Sequence, residues 1–193
     1  MNNVAEITSI KLDAIPILIE EWKKQLDKVI ERNLLLQDVK TFSRPPHLTL
    51  KLEDFTDYFQ NLFFTIKEEL KIELTDYRIF YHDYEKYNSK LETSIIHKDV
   101  NRLGAITIPI YASDPVLFYD ETEVYDPKIR KKVTRKPNQI HLYKYDHPTL
   151  INTDTLHSVF LLNEKTPRAI IQVNLYEPFN DIFQRNSDKL KLV

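Results

Sequence analysis

Between Tyr77 and Leu175 the chain breaks into short β-rich runs: Tyr77–Tyr81, Thr93–His97, Ala105–Tyr111, Pro115–Tyr119, Ile140–Tyr145, Leu150–Asn152, His157–Leu162 and Ala169–Leu175. Turn residues separate them. Many strands this short and this closely spaced point to a sandwich or a barrel. The last run shows the strand period most clearly. Ala169, Ile171, Val173 and Leu175 share one face, and Arg168, Ile170, Gln172 and Asn174 share the other.

The N-terminal third follows a helical period instead. Pro16 suits the first turn of a helix starting after Asp13. Ile15, Leu18, Ile19, Trp22, Leu26, Val29 and Ile30 then recur at three- and four-residue spacing. A second helix is predicted from a cap at Asp54 or Thr56, with Phe55, Phe59, Leu62, Phe63, Ile66 and Leu70 on one face. These stripes read as core packing against a sheet. Between the helices, Thr41–Leu52 contains Pro45 and Pro46 and is expected to be extended or irregular. A short helix is expected near Asp181–Asp188. The 193 residues therefore read as one mainly β domain, 1–193, with helical support over about 13–71 and a barrel over about 76–176.

Three absences narrow the chemistry. Without cysteine there is no thiolate catalysis, no Fe–S cluster and no cysteine-zinc site, so any metal must be held by nitrogen and oxygen. With Gly104 as the single glycine, phosphate-binding and dinucleotide-binding loops are excluded, and turns that need positive φ must rely on Asn and Asp. A formal net charge of −2 argues against general affinity for nucleic acid. No apolar stretch is long enough to span a bilayer, and the first residues lack the features of a signal peptide, so a cytoplasmic location is expected.

Of the histidines at 47, 82, 97, 141, 147 and 157, His97 alone begins a His-x-Asp triplet, His97-Lys98-Asp99. On an extended chain positions 97 and 99 face the same side. A mononuclear non-haem Fe(II) oxygenase needs two imidazoles and one carboxylate on one face of an octahedron, with the opposite face open. A third ligand must come from another strand, and His157, at the start of its run, fits. Arg168 opens the final strand and could pair bidentately with a carboxylate lying between the sheets. Asn152, on the strand before His157, is expected to approach the same site.

The order His-x-Asp, distal His, then Arg resembles the Fe(II)/2-oxoglutarate-dependent dioxygenase superfamily. The segments His97–Ile110 and Pro148–Val159 are similar to its small bacterial and phage members, and the resemblance spans roughly Tyr77 to Leu175. It implies a double-stranded β-helix, a cupin-like jelly roll with packing helices. It implies His97, Asp99 and His157 as iron ligands. It further implies Arg168 as partner of the distal carboxylate of 2-oxoglutarate, the co-substrate. Many members carry a hydroxyl residue two positions after that arginine. Here Ile170 stands there, and Tyr81, Thr107 and Tyr143 are the candidate substitutes.

The implied activity is oxidation, typically hydroxylation, of a small molecule or side chain. Two other readings stay open: a cupin-like metal enzyme that does not use 2-oxoglutarate, and a non-catalytic binding module on the same fold. Oligomeric state is left open too. Asp120–Pro137 is a charged insertion, acidic first and then basic at Lys128, Arg130, Lys131, Lys132, Arg135 and Lys136. It reads either as a solvated loop or as a lid that draws an anionic substrate to the barrel mouth.

Overall fold

The computed structural model describes residues 9–12, 18–34, 47–82, 96–99, 102–111, 115–120, 123–126, 131–134, 139–159 and 168–192. Helix α1 (Ile19–Leu34) and helix α2 (Asp57–Leu70) each bury one stripe: Trp22, Leu26, Val29 and Ile30 in the first, Phe59, Phe63, Ile66 and Leu70 in the second. A helix of this length is marginal alone. Burying each large apolar side chain contributes about 1.5–3 kcal/mol, so the sheet beneath stabilises both helices. Phe55, Phe59, Phe63 and Tyr77 form a cluster of edge-on, tilted and stacked rings at the α2 contact. Thr56 caps α2 in extended conformation, and Lys71 ends it at φ 52°. The positive-φ positions among the described residues are Lys71 and Asp76. Asp76 matches the expectation for a chain so poor in glycine; Lys71 does not, and closes the helix through its backbone N–H to the Lys67 carbonyl. No described helix is long and apolar enough to cross a membrane.

The strands are β1 (Ser9–Lys11), β2 (His47–Leu50), β3 (Thr75–His82), β4 (Gly104–Pro109), β5 (Val116–Tyr119), β6 (Glu123–Asp126), β7 (Lys131–Thr134), β8 (Gln139–Tyr143), β9 (Thr149–Ile151), β10 (His157–Val159), β11 (Arg168–Leu175) and β12 (Lys191–Leu192). A seven-stranded sheet runs β12-β1-β9-β4-β11-β3-β2, and a three-stranded sheet runs β10-β5-β8. All pairings are antiparallel. Past β4 the chain passes from the large sheet to the small one, back at β9, across at β10 and back at β11. The result is a mainly β chain with helices, but the hydrogen bonds among the described residues do not close the two sheets into one barrel.

The large sheet has two covered faces. Ile79, Ile106, Ile108, Leu150, Ile171 and Val173 join the helix-side core. On the other face Ile151 packs with Val116, Phe118 and Tyr143 of the small sheet, and the Tyr143 hydroxyl meets Thr149 Oγ1 at 2.8 Å. That is why every residue of β4 is buried.

Two expectations need correction, and one lies outside the described residues. The sheet is wider than 76–176, because β1, β2 and β12 add to its edges from outside that span. These strands have two to four residues each, too few to show a period, and only their distant partners define them. The first helix is described from Ile19, so Asp13 and Pro16 lie outside the described residues, as do Thr93–Ile95. The Asp120–Pro137 insertion is not structureless: β6 and β7 pair into a hairpin, with Val124 opposite Val133. The short helix expected near Asp181–Asp188 forms as α3 (Phe179–Arg185).

Candidate metal centre

His97 forms an isolated antiparallel bridge with His157. The two exchange backbone bonds, His97 N–H to the His157 carbonyl at 3.0 Å and the reverse at 2.9 Å. Cross-strand partners of this kind project side by side, and the ring centroids lie 4.6 Å apart. Two residues on, the Asp99 N–H donates to the Thr153 carbonyl at 3.1 Å, fixing the carboxylate on the same side. One ligand atom each from His97, Asp99 and His157 lies within 4.8 Å of the others. His97 is exposed, whereas His157 is nearly buried at 9%. The site therefore has a wet rim and a dry floor.

The floor is prepared for a cation. The His157 Nδ1 lies 2.8 Å from the Thr155 carbonyl, which can only accept, so the proton sits on Nδ1 and the Nε2 lone pair is bare. Nε2 is 3.5 Å from Asp99 Oδ2. Burial holds the imidazole below its ordinary pKa, while the Thr155 bond and the Asp99 charge oppose that shift. A neutral imidazole is the form that ligates metal.

Asp99 carries the decisive observation. Its Oδ1 lies 2.6 Å from Arg102 Nη2. Its Oδ2 is buried and has no hydrogen-bond partner among the described residues. An unpartnered buried carboxylate oxygen costs about 1–3 kcal/mol or more. That oxygen faces His157 Nε2, while His97 Nε2 lies 3.6 Å from Oδ1; a donor set of two nitrogens and one carboxylate oxygen suits a divalent first-row metal such as Fe(II).

Other candidates are placed differently. The Asn152 Oδ1 accepts the Asp154 N–H at 3.1 Å, so Asn152 shapes the turn that presents Thr153 and Thr155 to the site. Arg168 begins β11 opposite His82; its side chain lies outside the described part of the structure. Ile170 is buried on the face shared with Gln172 and Asn174. Among the hydroxyl candidates, Tyr143 is engaged by Thr149. Thr107 Oγ1 is buried and unpartnered among the described residues, on β4 opposite Gln172. The Tyr81 side chain lies outside the described part.

No family model matches the chain, and no curated protein matches it in sequence. Solved structures do match in shape. SnoK, a non-haem α-ketoglutarate-dependent carbocyclase from nogalamycin biosynthesis, superposes with a TM-score of 0.59 at 7% identity, over 91% of this chain and 85% of its own. The collagen prolyl hydroxylase vCPH of Paramecium bursaria Chlorella virus-1, solved as a 2OG complex, gives 0.51 at 12% identity over 89% and 98%. The chain shares its fold with these two enzymes. The epimerase SnoN, solved with Fe3+, α-ketoglutarate and nogalamycin RO, shares it at 0.50 and 11% identity over 88% and 78%.

Within this fold the chain carries polar residues that reading the sequence missed. Arg102 pairs with Asp99, and its Nη1 donates to Gln172 Oε1 at 2.7 Å and to Asn174 Oδ1 at 2.8 Å. Part of the signal was present. Gln172 and Asn174 are polar positions on the inward face of a strand otherwise apolar, sharing that face with Arg168 in the alternation. Nothing in the local sequence marks Arg102, three residues past the triplet, because its partners lie some 70 residues away.

Proposed function

We propose that this protein is a non-haem Fe(II)/2-oxoglutarate-dependent oxygenase on a double-stranded β-helix, with His97, Asp99 and His157 as the protein ligands of the ion. The Asp99 carboxylate, with His157 Nε2 beside Oδ2, His97 Nε2 beside Oδ1 and Oδ2 buried without a hydrogen-bond partner among the described residues, carries this reading, and the shared fold supports it. Strand alternation between the two sheets, with His97 bridged to His157 at the edge of the small sheet, supports the β-helix.

When bound, the ion would supply the activation of O2 that couples decarboxylation of 2-oxoglutarate to oxidation of a substrate. The chain's own residues do the rest. Thr155 keeps His157 in the tautomer that offers Nε2. Thr153 fixes Asp99 through the backbone. Arg168 would take the distal carboxylate of 2-oxoglutarate, and the Thr107 hydroxyl, without a partner among the described residues and opposite Gln172, would supply the hydroxyl that Ile170 cannot. Asn152 would contribute indirectly by holding the turn before β10. Phe118, Val116 and Ile151 form an apolar wall that limits water between the sheets. The substrate would be a small molecule or a side chain, and the basic half of the insertion favours an anionic one. The insertion leaves β5 beside the site, since Phe118 pairs with His157 and the Tyr119 N–H bonds to the Leu156 carbonyl.

Ile170 favours one rival, a metal enzyme of cupin type that does not use 2-oxoglutarate. Titration of the protein with Mn(II), then with 2-oxoglutarate, separates the readings. The proposal expects one ion per chain, abolished by His157→Ala, and 2-oxoglutarate binding that depends on the ion. Metal binding with no response to 2-oxoglutarate supports the rival. Absence of metal binding leaves a non-catalytic module and refutes the proposal.

A further inference from the structure

Asp99 has two oxygens, and a carboxylate can ligate a metal through one or both. Oδ1 is held by Arg102 at 2.6 Å, a charge-assisted contact with both side chains nearly buried, and His97 Nε2 stands farther off at 3.6 Å. Oδ2 faces His157 Nε2 without a hydrogen bond. The guanidinium is itself immobilised. Nη1 is held by Gln172 and Asn174, successive inward positions of β11. The Arg102 carbonyl accepts the Thr153 hydroxyl at 3.2 Å, and the Thr153 carbonyl accepts the Asp99 N–H. These contacts form a closed ring from Asp99 through Arg102 to the Thr153 turn and back.

We propose that Arg102 is a positioning residue that restricts Asp99 to one metal-binding oxygen and ties that carboxylate to β11. This rests on the metal-centre reading above. Two imidazoles and a one-oxygen carboxylate leave three positions of an octahedral ion open. A two-oxygen carboxylate leaves two. An enzyme that must seat a chelating 2-oxo acid and O2 together needs three. The clamp therefore decides how much of the coordination sphere is available. It also refers the carboxylate to the strand that begins at Arg168, so ion and co-substrate are positioned from one rigid element.

A planar fork that spans three acceptors is what arginine offers and lysine does not, although both carry the charge. The test compares the wild type with Arg102→Lys and with Gln172→Leu/Asn174→Leu, which keeps Arg102 but unties it. Mn(II) affinity is measured by calorimetry. The Co(II) absorption band, whose intensity rises as coordination number falls or geometry distorts, reports the ligand field. Circular dichroism and thermal melts confirm folding. The expected result is a loss of about 10–100-fold in Mn(II) affinity for Arg102→Lys, as for other residues that orient a metal ligand. An altered Co(II) band should appear in both variants. A residue that only supports the fold would lower the melting temperature and leave the Co(II) band of the folded protein unchanged, and that result overturns the clamp. Wild-type protein that binds Mn(II) while both variants match it also refutes the clamp and leaves the metal centre standing. Wild-type protein that binds no Mn(II) refutes both.

Discussion

Replacing Asp99 by Asn separates the metal role of this side chain from any structural role. The substitution keeps shape and keeps an oxygen for Arg102, but removes the charge. In the metal-free protein the terms oppose. The contact to Arg102 changes from an ion pair to a hydrogen bond with a charged partner, still worth about 1.5–3 kcal/mol. The unpartnered Oδ2 becomes an NH2 group 3.5 Å from the bare His157 Nε2, which removes a penalty of about 1–3 kcal/mol and adds a bond worth about 0.5–1.5 kcal/mol. The net change should be within about 1–2 kcal/mol, or a few degrees in melting temperature for a chain of this size. With metal the outcome diverges. Ligand at 100 times its Kd stabilises the folded state by about 2.7 kcal/mol, which at about 2–4 °C per kcal/mol raises the wild-type melting temperature by about 5–11 °C. Asp99→Asn should lose that increment, because a neutral amide is a poor ligand for a hard divalent ion. Thermal melts with and without Mn(II) read both quantities. A full Mn(II) shift in the variant, or a metal-free variant destabilised by about 3–5 kcal/mol as for a broken buried ion pair, would refute the reasoning.

Arg168→Ala should weaken 2-oxoglutarate binding to the Mn(II)-loaded protein by about 1.5–3 kcal/mol while Mn(II) affinity stays close to wild type; calorimetry of each ligand in turn checks it, and equal loss of both would assign Arg168 to the fold. Neutralising Lys131, Lys132 and Arg135 together should lower apparent affinity for an anionic substrate at low salt and have little effect at high salt, since exposed charges are screened beyond about 8 Å at physiological ionic strength; a salt-independent change would count against steering. Burial pushes the Tyr143 phenol above its ordinary pKa, with Asp146 adding to the shift and the Thr149 bond opposing it. A raised pKa in the folded state means the contribution is intact below about pH 10, the unfolded value, and is lost as pH rises through the folded one. Tyr143→Phe should therefore flatten the alkaline limb of a stability–pH curve measured by denaturant unfolding, and an unchanged limb would place its origin elsewhere.

Short-range chemistry made much of this molecule legible from its sequence. The stripe of Trp22, Leu26, Val29 and Ile30 and the stripe of Phe59, Phe63, Ile66 and Leu70 specify helices with one buried face. The alternation of Ala169, Ile171, Val173 and Leu175 specifies a strand with its apolar side toward those helices. His97 and Asp99, two apart on an extended segment, had to face one point. What the tertiary structure alone decided depends on pairing across long separations. Registry puts His97 opposite His157 and makes β1, β2 and β12 the margins of the large sheet. The same holds for Arg102. Its neighbours in sequence give it no reason to be buried, and it becomes part of the site only because folding brings Gln172, Asn174 and Asp99 around one guanidinium. Periodicity encodes which face a residue takes; it carries no information about which distant residue shares that face, because that choice is made by the summed packing of both sheets.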